Sequence, residues 1–389
     1  MSTPEAAPST SGSAPRCPAL VRLSLAGFRN HARLELRLEP RSVVLIGPNG
    51  VGKTNLLEAI SLLAPGRGLR RAGLGELLGP AATAWAIGAT LQGLAGVREV
   101  ATALEATGRG DRRVATLDGG VRRGPVSLAG VLPLLWLTPA MDRLFVEGAG
   151  NRRRFLDRLV YGLDPAHAER LQAYDRALRE RLTLLRAGRR DPAWLTALEA
   201  RLAADGVAIA AARVATVERL GAALAAEDGP FPAADLALVG EMEAALATTP
   251  ALAVEEGFAT RLARNRATDA EAGTTTVGPH RSDLAVSYRA RGTPARLAST
   301  GEQKALLIAI LLGQARVASA AGLAPVLLLD EVAAHLDEAR RRALFDRLAA
   351  HPGQVWLTGT EAALFAGTAA TCQGIALAGD GWRMVDLLP

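Results

Sequence analysis

Cysteine is almost absent, with Cys17 and Cys372 the only two in 389 residues. That excludes a disulfide-stapled fold and fits a reducing compartment. Lysine is equally scarce, occurring only at Lys53 and Lys304, so 43 of the 45 basic residues are arginine. Aromatic residues make up only 4% of the chain. No run approaches the roughly 20 uninterrupted apolar residues of a membrane span. Residues 1–18 are rich in Ser, Ala, Pro and Thr and lack an apolar stretch, which reads as a disordered tail rather than a signal peptide. The expectation is a soluble, cytoplasmic protein with no membrane partner.

Apolar material, by contrast, is ample at 49%, enough for a sizeable core. The length allows two domains, or one large domain carrying an insertion. The net charge of +6 permits a polyanionic partner without demanding one, and a solvated basic surface is the simpler account of it. Against so much arginine the two lysines stand out. An ammonium is a compact point charge on a slim stem, whereas guanidinium is a broad planar fork. A lysine kept in such a chain marks a place where arginine would not serve.

Alternating apolar residues at Val21, Leu23 and Leu25, and again at Leu34, Leu36 and Leu38, predict two strands. Ser42 to Ile46 is a continuous apolar run ending at Gly47, as a buried strand should be, and a helix is expected from Gly52 to about Leu63. From Trp85 to about Arg123, short apolar stretches alternate with turns and predict antiparallel strands. Beyond residue 150 the texture turns helical. Leu171, Tyr174, Leu178, Leu182 and Leu185 share one helical face, and Asp191-Pro192 supplies an N-cap and N1 proline for a second helix. That helix carries Leu195, Leu198 and Leu202, and its pattern resumes at Val214, Val217, Leu220 and Leu224. A short strand fits Asp235 to Val239, another Leu284 to Arg289, then a helix from about Gly301 to Ala320 and a buried strand at Val326 to Leu329.

GPNGVGKT at 47–54 matches the phosphate-loop pattern G-x-x-x-x-G-K-[ST] and lies between a buried strand and a helix. Its residues, Gly47, Pro48, Asn49, Gly50, Val51, Gly52, Lys53 and Thr54 with Asn55 following, are the expected ATP cradle. The glycines let main-chain N–H groups turn inward and the helix N-terminus adds positive potential. Lys53 is expected to reach the β- and γ-phosphates and Thr54 to ligate Mg²⁺. A hydrophobic strand delivers Asp330 to the same metal and Glu331 to the attacking water. Between them, Ser299-Thr-Gly301-Glu-Gln303-Lys304 opens a long apolar helix. It serves as a helix cap, as an anion site for ATP held by a second subunit, or as both. Asp337, after His335 and Leu336, resembles a D-loop that crosses to the partner. These motifs give an α/β ATPase head of ABC/SMC type, a mixed sheet with flanking helices in two lobes, with ATP sandwiched between two chains. No glutamine stands at a Q-loop position, since Gln92 falls in a strand-like segment, and no histidine marks a switch near Thr358 to Glu361.

Lys53 and Asp330 are too far apart in sequence for a transporter ATPase and too close for the long coiled coil of an SMC clamp. The chain resembles the RecF family nearly end to end. The resemblance is carried by Leu25-Ala-Gly-Phe-Arg-Asn30, by Asn151-Arg152-Arg153-Arg154-Phe-Leu-Asp157, by Gly278-Pro-His280-Arg281-Ser-Asp283, by Ser299 to Lys304, and by Thr358-Gly-Thr360. It implies a head assembled from residues 19–160 and 275–389 with a mainly helical arm, 161–274, inserted between. It also implies an ATP-dependent homodimer on double-stranded DNA and gap junctions. Such a dimer would act with RecO and RecR to load RecA in gap repair and the SOS response. Arg152, Arg153 and Arg154 and the group Arg67, Arg70 and Arg71 are candidate DNA contacts. The alternative for each is a solvated face or an internal pair, such as Arg154 with Asp157. His280 and Arg281 read as structural or nucleotide-coupled rather than metal ligands.

Overall fold

The computed structural model describes residues 18–93, 96–106, 110–122, 124–187, 191–226, 229–334, 336–379 and 381–387. The expected tail therefore lies, but for Pro18, outside the described residues. An antiparallel sheet is built from β1 (Ala19–Phe28), β2 (His31–Arg37), β4 (Ala86–Gly93), β5 (Gly96–Glu105), β6 (Arg112–Leu117) and β7 (Gly120–Arg122). Its order is β2-β1-β4-β5-β6-β7, which matches the strands expected on either side of the phosphate loop. Gln92 lies in β4.

The second sheet draws on both ends of the chain. It contains β3 (Ser42–Ile46), β8 (Leu134–Leu137), β12 (Val326–Leu329), β13 (Val355–Gly359), β14 (Cys372–Ala378) and β15 (Gly381–Val385), in the order β15-β14-β3-β13-β12-β8. All its pairs are parallel except β14 with β15. Both faces are covered, which is why these strands read as unbroken apolar runs. Val43 and Leu45 pack with Leu56, Leu57 and Ile60 of α1 (Lys53–Ser61). Val44 and Ile46 point the other way, into a cluster with Leu306 to Leu312 of α8 (Thr300–Ala320). Buried almost all round from Gln303 to Ala315, α8 shows little one-sided apolar periodicity, as expected of an interior helix.

α2 (Ala149–Tyr161) precedes the inserted region, which holds α3 (His167–Arg186), α4 (Pro192–Ala225), β9 (Ala234–Val239), α5 (Glu241–Leu246), α6 (Ala251–Arg264) and α7 (Arg266–Ala272). Asp191 caps α4 as expected, accepting from the Ala193 and Trp194 amides. The two apolar stretches of this region form one unbroken 34-residue helix, because neither Gly206 nor Gly221 interrupts its hydrogen bonding. At 1.5 Å per residue α4 spans about 50 Å, long enough to serve two cores. Leu202, Val207 and Ala210 join Tyr174 and Phe258 in the arm, while Val217, Leu220 and Leu224 join α8. Gly313 of α8 is where the two helices cross, since a Cβ there would lie 3.0–3.1 Å from Leu224 and Leu220. β9 pairs with β10 (Asp283–Tyr288), and β10 with β11 (Thr293–Pro294), so one small sheet straddles residue 274.

Buried charge ties the arm helices together. Arg181 is fully buried and donates to Glu199 at 3.0 Å, Asp269 at 2.7 Å, Thr275 at 3.2 Å and the Leu262 carbonyl at 2.7 Å. One guanidinium fork thus joins α3, α4, α6 and α7. Removing one member of such a set leaves uncompensated buried charge, which costs about 3–5 kcal/mol. Arg181→Met is expected to destabilise the protein by that amount in urea unfolding, and a loss under about 1 kcal/mol would show that apolar packing alone holds the arm.

Candidate functional site

The loop 47–54 leaves the C-terminal end of β3 and enters α1 through Gly52, whose φ of +107° is left-handed. A Cβ at Gly52 would fall 2.6 Å from the Asn30 side chain, so glycine is required both sterically and conformationally. Asn30, in the β1–β2 turn, donates to the Val51 carbonyl at 2.9 Å and accepts from Asn55 at 2.6 Å. The neighbouring Arg29 grips buried Glu58 of α1 with two bonds of 3.0 Å. Sequence reasoning met Arg29 and Asn30 only as part of a family resemblance; their work is to hold the loop. Lys53 Nζ donates to the Gly47 and Pro48 carbonyls at 2.6 and 3.1 Å. Burial lowers its pKa, opposed by the charges of Glu331 and Asp330.

Asp330 follows Leu329, the last residue of β12, beside this loop. The Thr54 hydroxyl lies 3.0 and 2.9 Å from its two carboxylate oxygens, although 276 residues separate them. The Thr358 hydroxyl, at the end of β13, donates to Asp330 at 2.8 Å and accepts the Glu331 amide at 2.8 Å. Burial raises the Asp330 pKa, the hydrogen bonds from Thr358 and Thr54 oppose it, and the Glu331 charge adds to the rise. The residues expected to meet a phosphate and a metal are therefore brought together, at the strand ends where an open parallel sheet places its crevice. Thr358 stands where the sequence lacks a switch histidine.

The signature segment is a helix cap of full form. Ser299 accepts the Glu302 amide at 3.4 Å, while Glu302 accepts from the Ser299 amide and hydroxyl at 2.8 and 2.9 Å. That is a capping box. Gln303 donates to the Ala298 carbonyl at 2.8 Å. Asp337 is the N-cap of α9 (Glu338–Ala349), accepting from the Arg340 amide at 2.8 Å; His335 lies outside the described residues. Among the described residues no hydrogen bond links Ser299, Gly301, Gln303 or Asp337 to the loop 47–54 of the same chain. Ser299 and Gly301 are exposed.

The candidate DNA arginines divide. Arg152 is bound twice to Asp283, at 2.8 and 2.7 Å, and Arg70 is tied to Asn55 and to Glu58, at 2.5 and 3.0 Å. Arg67, Arg71, Arg153 and Arg154, far apart in sequence, line one cleft of about 480 Å³ together with Arg158 and Arg213. The Arg154–Asp157 pair expected on α2 does not form. Asp157 turns inward to Arg213 at 2.8 and 3.0 Å and His167 at 3.0 Å, and Arg154 bonds Asn151 instead. Burial would raise the Asp157 pKa, but His167 and Arg213 together hold it below its ordinary value. His280 donates from Nε2 to the Thr275 carbonyl and pairs through Nδ1 with the Tyr174 hydroxyl, each at 2.9 Å, and Arg281 donates to the same carbonyl.

Comparison with known proteins follows the same lines. The family described as RecF/RecN/SMC N terminal domain matches residues 19–380. A DNA replication and repair protein RecF from Allorhizobium ampelinum is 47% identical over 348 residues, covering 89% of this chain and 93% of its own. The RecF protein of Mesorhizobium japonicum is 48% identical over 351 residues, covering 89% and 92%. The fold is similar to that of the recombination mediator protein RecF solved with ATP, with a TM-score of 0.79 at 21% identity, covering 95% of this chain and 99% of that one. A more distant likeness is to the Smc head domain of Pyrococcus furiosus, at a TM-score of 0.53 and 15% identity over 95% of this chain and 96% of that one. The relatives are thus repair proteins rather than transporter ATPases, and the chain belongs to the RecF family of DNA replication and repair proteins.

Proposed function

We propose that this chain is an ATP-hydrolysing, DNA-binding protein of recombinational repair, with its nucleotide on residues 47–54. The Thr54–Asp330 contact carries the reading, because it joins the phosphate loop to the acidic strand across 276 residues. The donors fit the expected groups. Hydroxyl and carboxylate oxygens are the hard ligands that Mg²⁺ takes, and the Lys53 ammonium, now on two main-chain carbonyls, would transfer its N–H groups to phosphate oxygens. Bound Mg²⁺–ATP would supply the scissile anhydride and the charge that offsets buried Asp330. Glu331 would orient and deprotonate the attacking water.

Exposed Ser299 and Gly301, at the capped N-terminus of α8, followed by Gln303, and exposed Asp337 at the cap of α9, fit a surface that completes the nucleotide site of a second copy. ATP would then drive homodimerisation and hydrolysis would release it. RecF relatives are named for DNA replication and repair, and one solved RecF is assigned to the RecFOR pathway. That supports action on double-stranded DNA and gap junctions, with RecO and RecR as partners and RecA loading as the outcome. Arg67, Arg71, Arg153 and Arg154 are the favoured phosphate contacts, because none of them is held in an ion pair among the described residues, although the charges of Asp283 and Asp157 act on Arg153.

ATP turnover should rise on adding double-stranded DNA at fixed moderate salt, and turnover indifferent to DNA would remove the coupling. Lys53→Met should abolish ATP binding. Glu331→Gln should keep ATP and trap the dimer, and an unchanged rate would take Glu331 out of its role. Asp330→Asn removes a carboxylate whose charged form burial disfavours, so the nucleotide-free variant should melt at or above the wild-type temperature. The further rise in melting temperature given by Mg²⁺ and ATP should disappear in that variant; if it persists, Asp330 does not hold the metal.

A further inference from the structure

We propose that Lys304 is the positioning residue for Glu331, tying the signature helix α8 to the group that activates water. The proposal rests on the reading of Glu331 given above. Glu331 has a φ of +50°, in the left-handed region that costs an L-residue about 1–2 kcal/mol. Such a conformation persists only where its surroundings over-determine it.

Here both of its peptide groups are held. On the N-terminal side, the Glu331 amide donates to Thr358 Oγ1 at 2.8 Å. On the C-terminal side, the Glu331 carbonyl accepts from Lys304 Nζ at 3.2 Å, and the same ammonium donates to the Ala334 carbonyl at 2.9 Å. The Ala334 amide returns to the Glu331 carbonyl at 3.2 Å, closing residues 331–334 into a turn anchored on one side chain. That turn leads directly to Asp337, the cap of α9.

The anchor stands on a rigid element. Lys304 is 8% exposed and belongs to the first turns of α8, five residues after the Ser299 cap. The helix behind it is buried on nearly all sides. A displacement of the α8 N-terminus, such as contact with a second subunit's nucleotide would cause, is therefore carried to the Glu331 carbonyl. Burial lowers the Lys304 pKa and the charges of Asp142 and Glu331 oppose that fall. Its hydrogen bonds, however, go to main-chain oxygens, which fix geometry rather than merely balance charge.

The residue type agrees. One compact ammonium satisfies two carbonyls in a closed space where a planar guanidinium fork is too broad. The chain's other lysine, Lys53, likewise donates to two main-chain carbonyls of a catalytic loop. Both lysines of an arginine-rich chain hold the backbone of the nucleotide site.

The test is ATP hydrolysis by the full chain carrying Lys304→Met, Lys304→Gln or Lys304→Arg, in steady state alone and in single turnover with and without Glu331→Gln. Misplacing a reacting group by about 1 Å can cost on the order of 100-fold. Lys304→Met should therefore lower kcat about 10–100-fold, with KM for ATP within about threefold of wild type. Lys304→Gln, which keeps one neutral donor and folds if the ammonium is needed for packing alone, should fall between. Lys304→Arg should not restore the rate. In the Glu331→Gln background, Lys304→Met should cost almost nothing further in single turnover, because the two act as one unit. A kcat within twofold of wild type in the Met and Gln variants overturns the proposal, as does an equal loss in both backgrounds or a raised KM with kcat intact. A wild-type chain that does not turn over ATP, or Glu331→Gln at full speed, refutes the site assignment instead.

Discussion

β13 lies between β3 and β12 and is hydrogen-bonded in parallel to both, and the meeting of the loop 47–54 with Asp330 hangs on that register. Val43, Trp356 and Leu328 stand in one row, Leu45 pairs with Thr358, and Leu329 with Leu357. A slip of one residue would send every side chain of a strand to the opposite face. The helices α1 and α8 cover the two faces, so such a slip would expose a core and is forbidden. The register therefore fixes where β3 gives way to Gly47 and β12 to Asp330, and with them the Thr54–Asp330 distance. The chain between the strand ends can wander through a whole arm without altering that geometry.

Arginine is the material from which much of the interior polar framework is made. Arg29 secures α1 through Glu58, Arg181 fastens the arm helices, and Arg213 links α4 to α2 through Asp157. Arg113, pulled down to about 10 by burial, donates to the Leu62, Ala64 and Gly66 carbonyls and so fixes the chain leaving α1. A five-donor fork reaches several acceptors at once, which suits carbonyls at helix ends and paired carboxylates. Much of the basic composition is therefore spent inside the molecule. Arg67, Arg71, Arg153 and Arg154 instead line a cleft together with Arg158, the paired Arg213 and the carboxylates of Asp157 and Asp175. Arg158 there lies over the Trp136 ring, 4.3 Å from its centroid.

Local chemistry was legible because it is local. Strand and helix starts follow from apolar period, from the Asp191-Pro192 cap and from the glycines of 47–54. The capping box at Ser299 needs only residues three apart. Long-range pairings were not legible. Nothing near Asp157 says that it will choose Arg213 over Arg154, because both choices satisfy the same charge and only the packing of α4 against α2 brings Arg213 closer. The continuity of α4 was hidden by Gly206, whose missing side chain serves close contact with Phe258 and Tyr174, at 3.1 and 3.3 Å from a Cβ built there.

The sequence by itself determined the types of group present, a glycine-rich loop of phosphate-loop pattern, an acidic strand end and a capped helix, because each is a short pattern with its own hydrogen-bonding logic. It also singled out Lys53 and Lys304 by composition. Only the tertiary structure decided which groups meet: Thr54 with Asp330, Thr358 with both acids, Lys304 with the carbonyls of Glu331 and Ala334. Those contacts depend on strand register and helix crossing, which are set by burial summed over the whole core and cannot be read from any short segment.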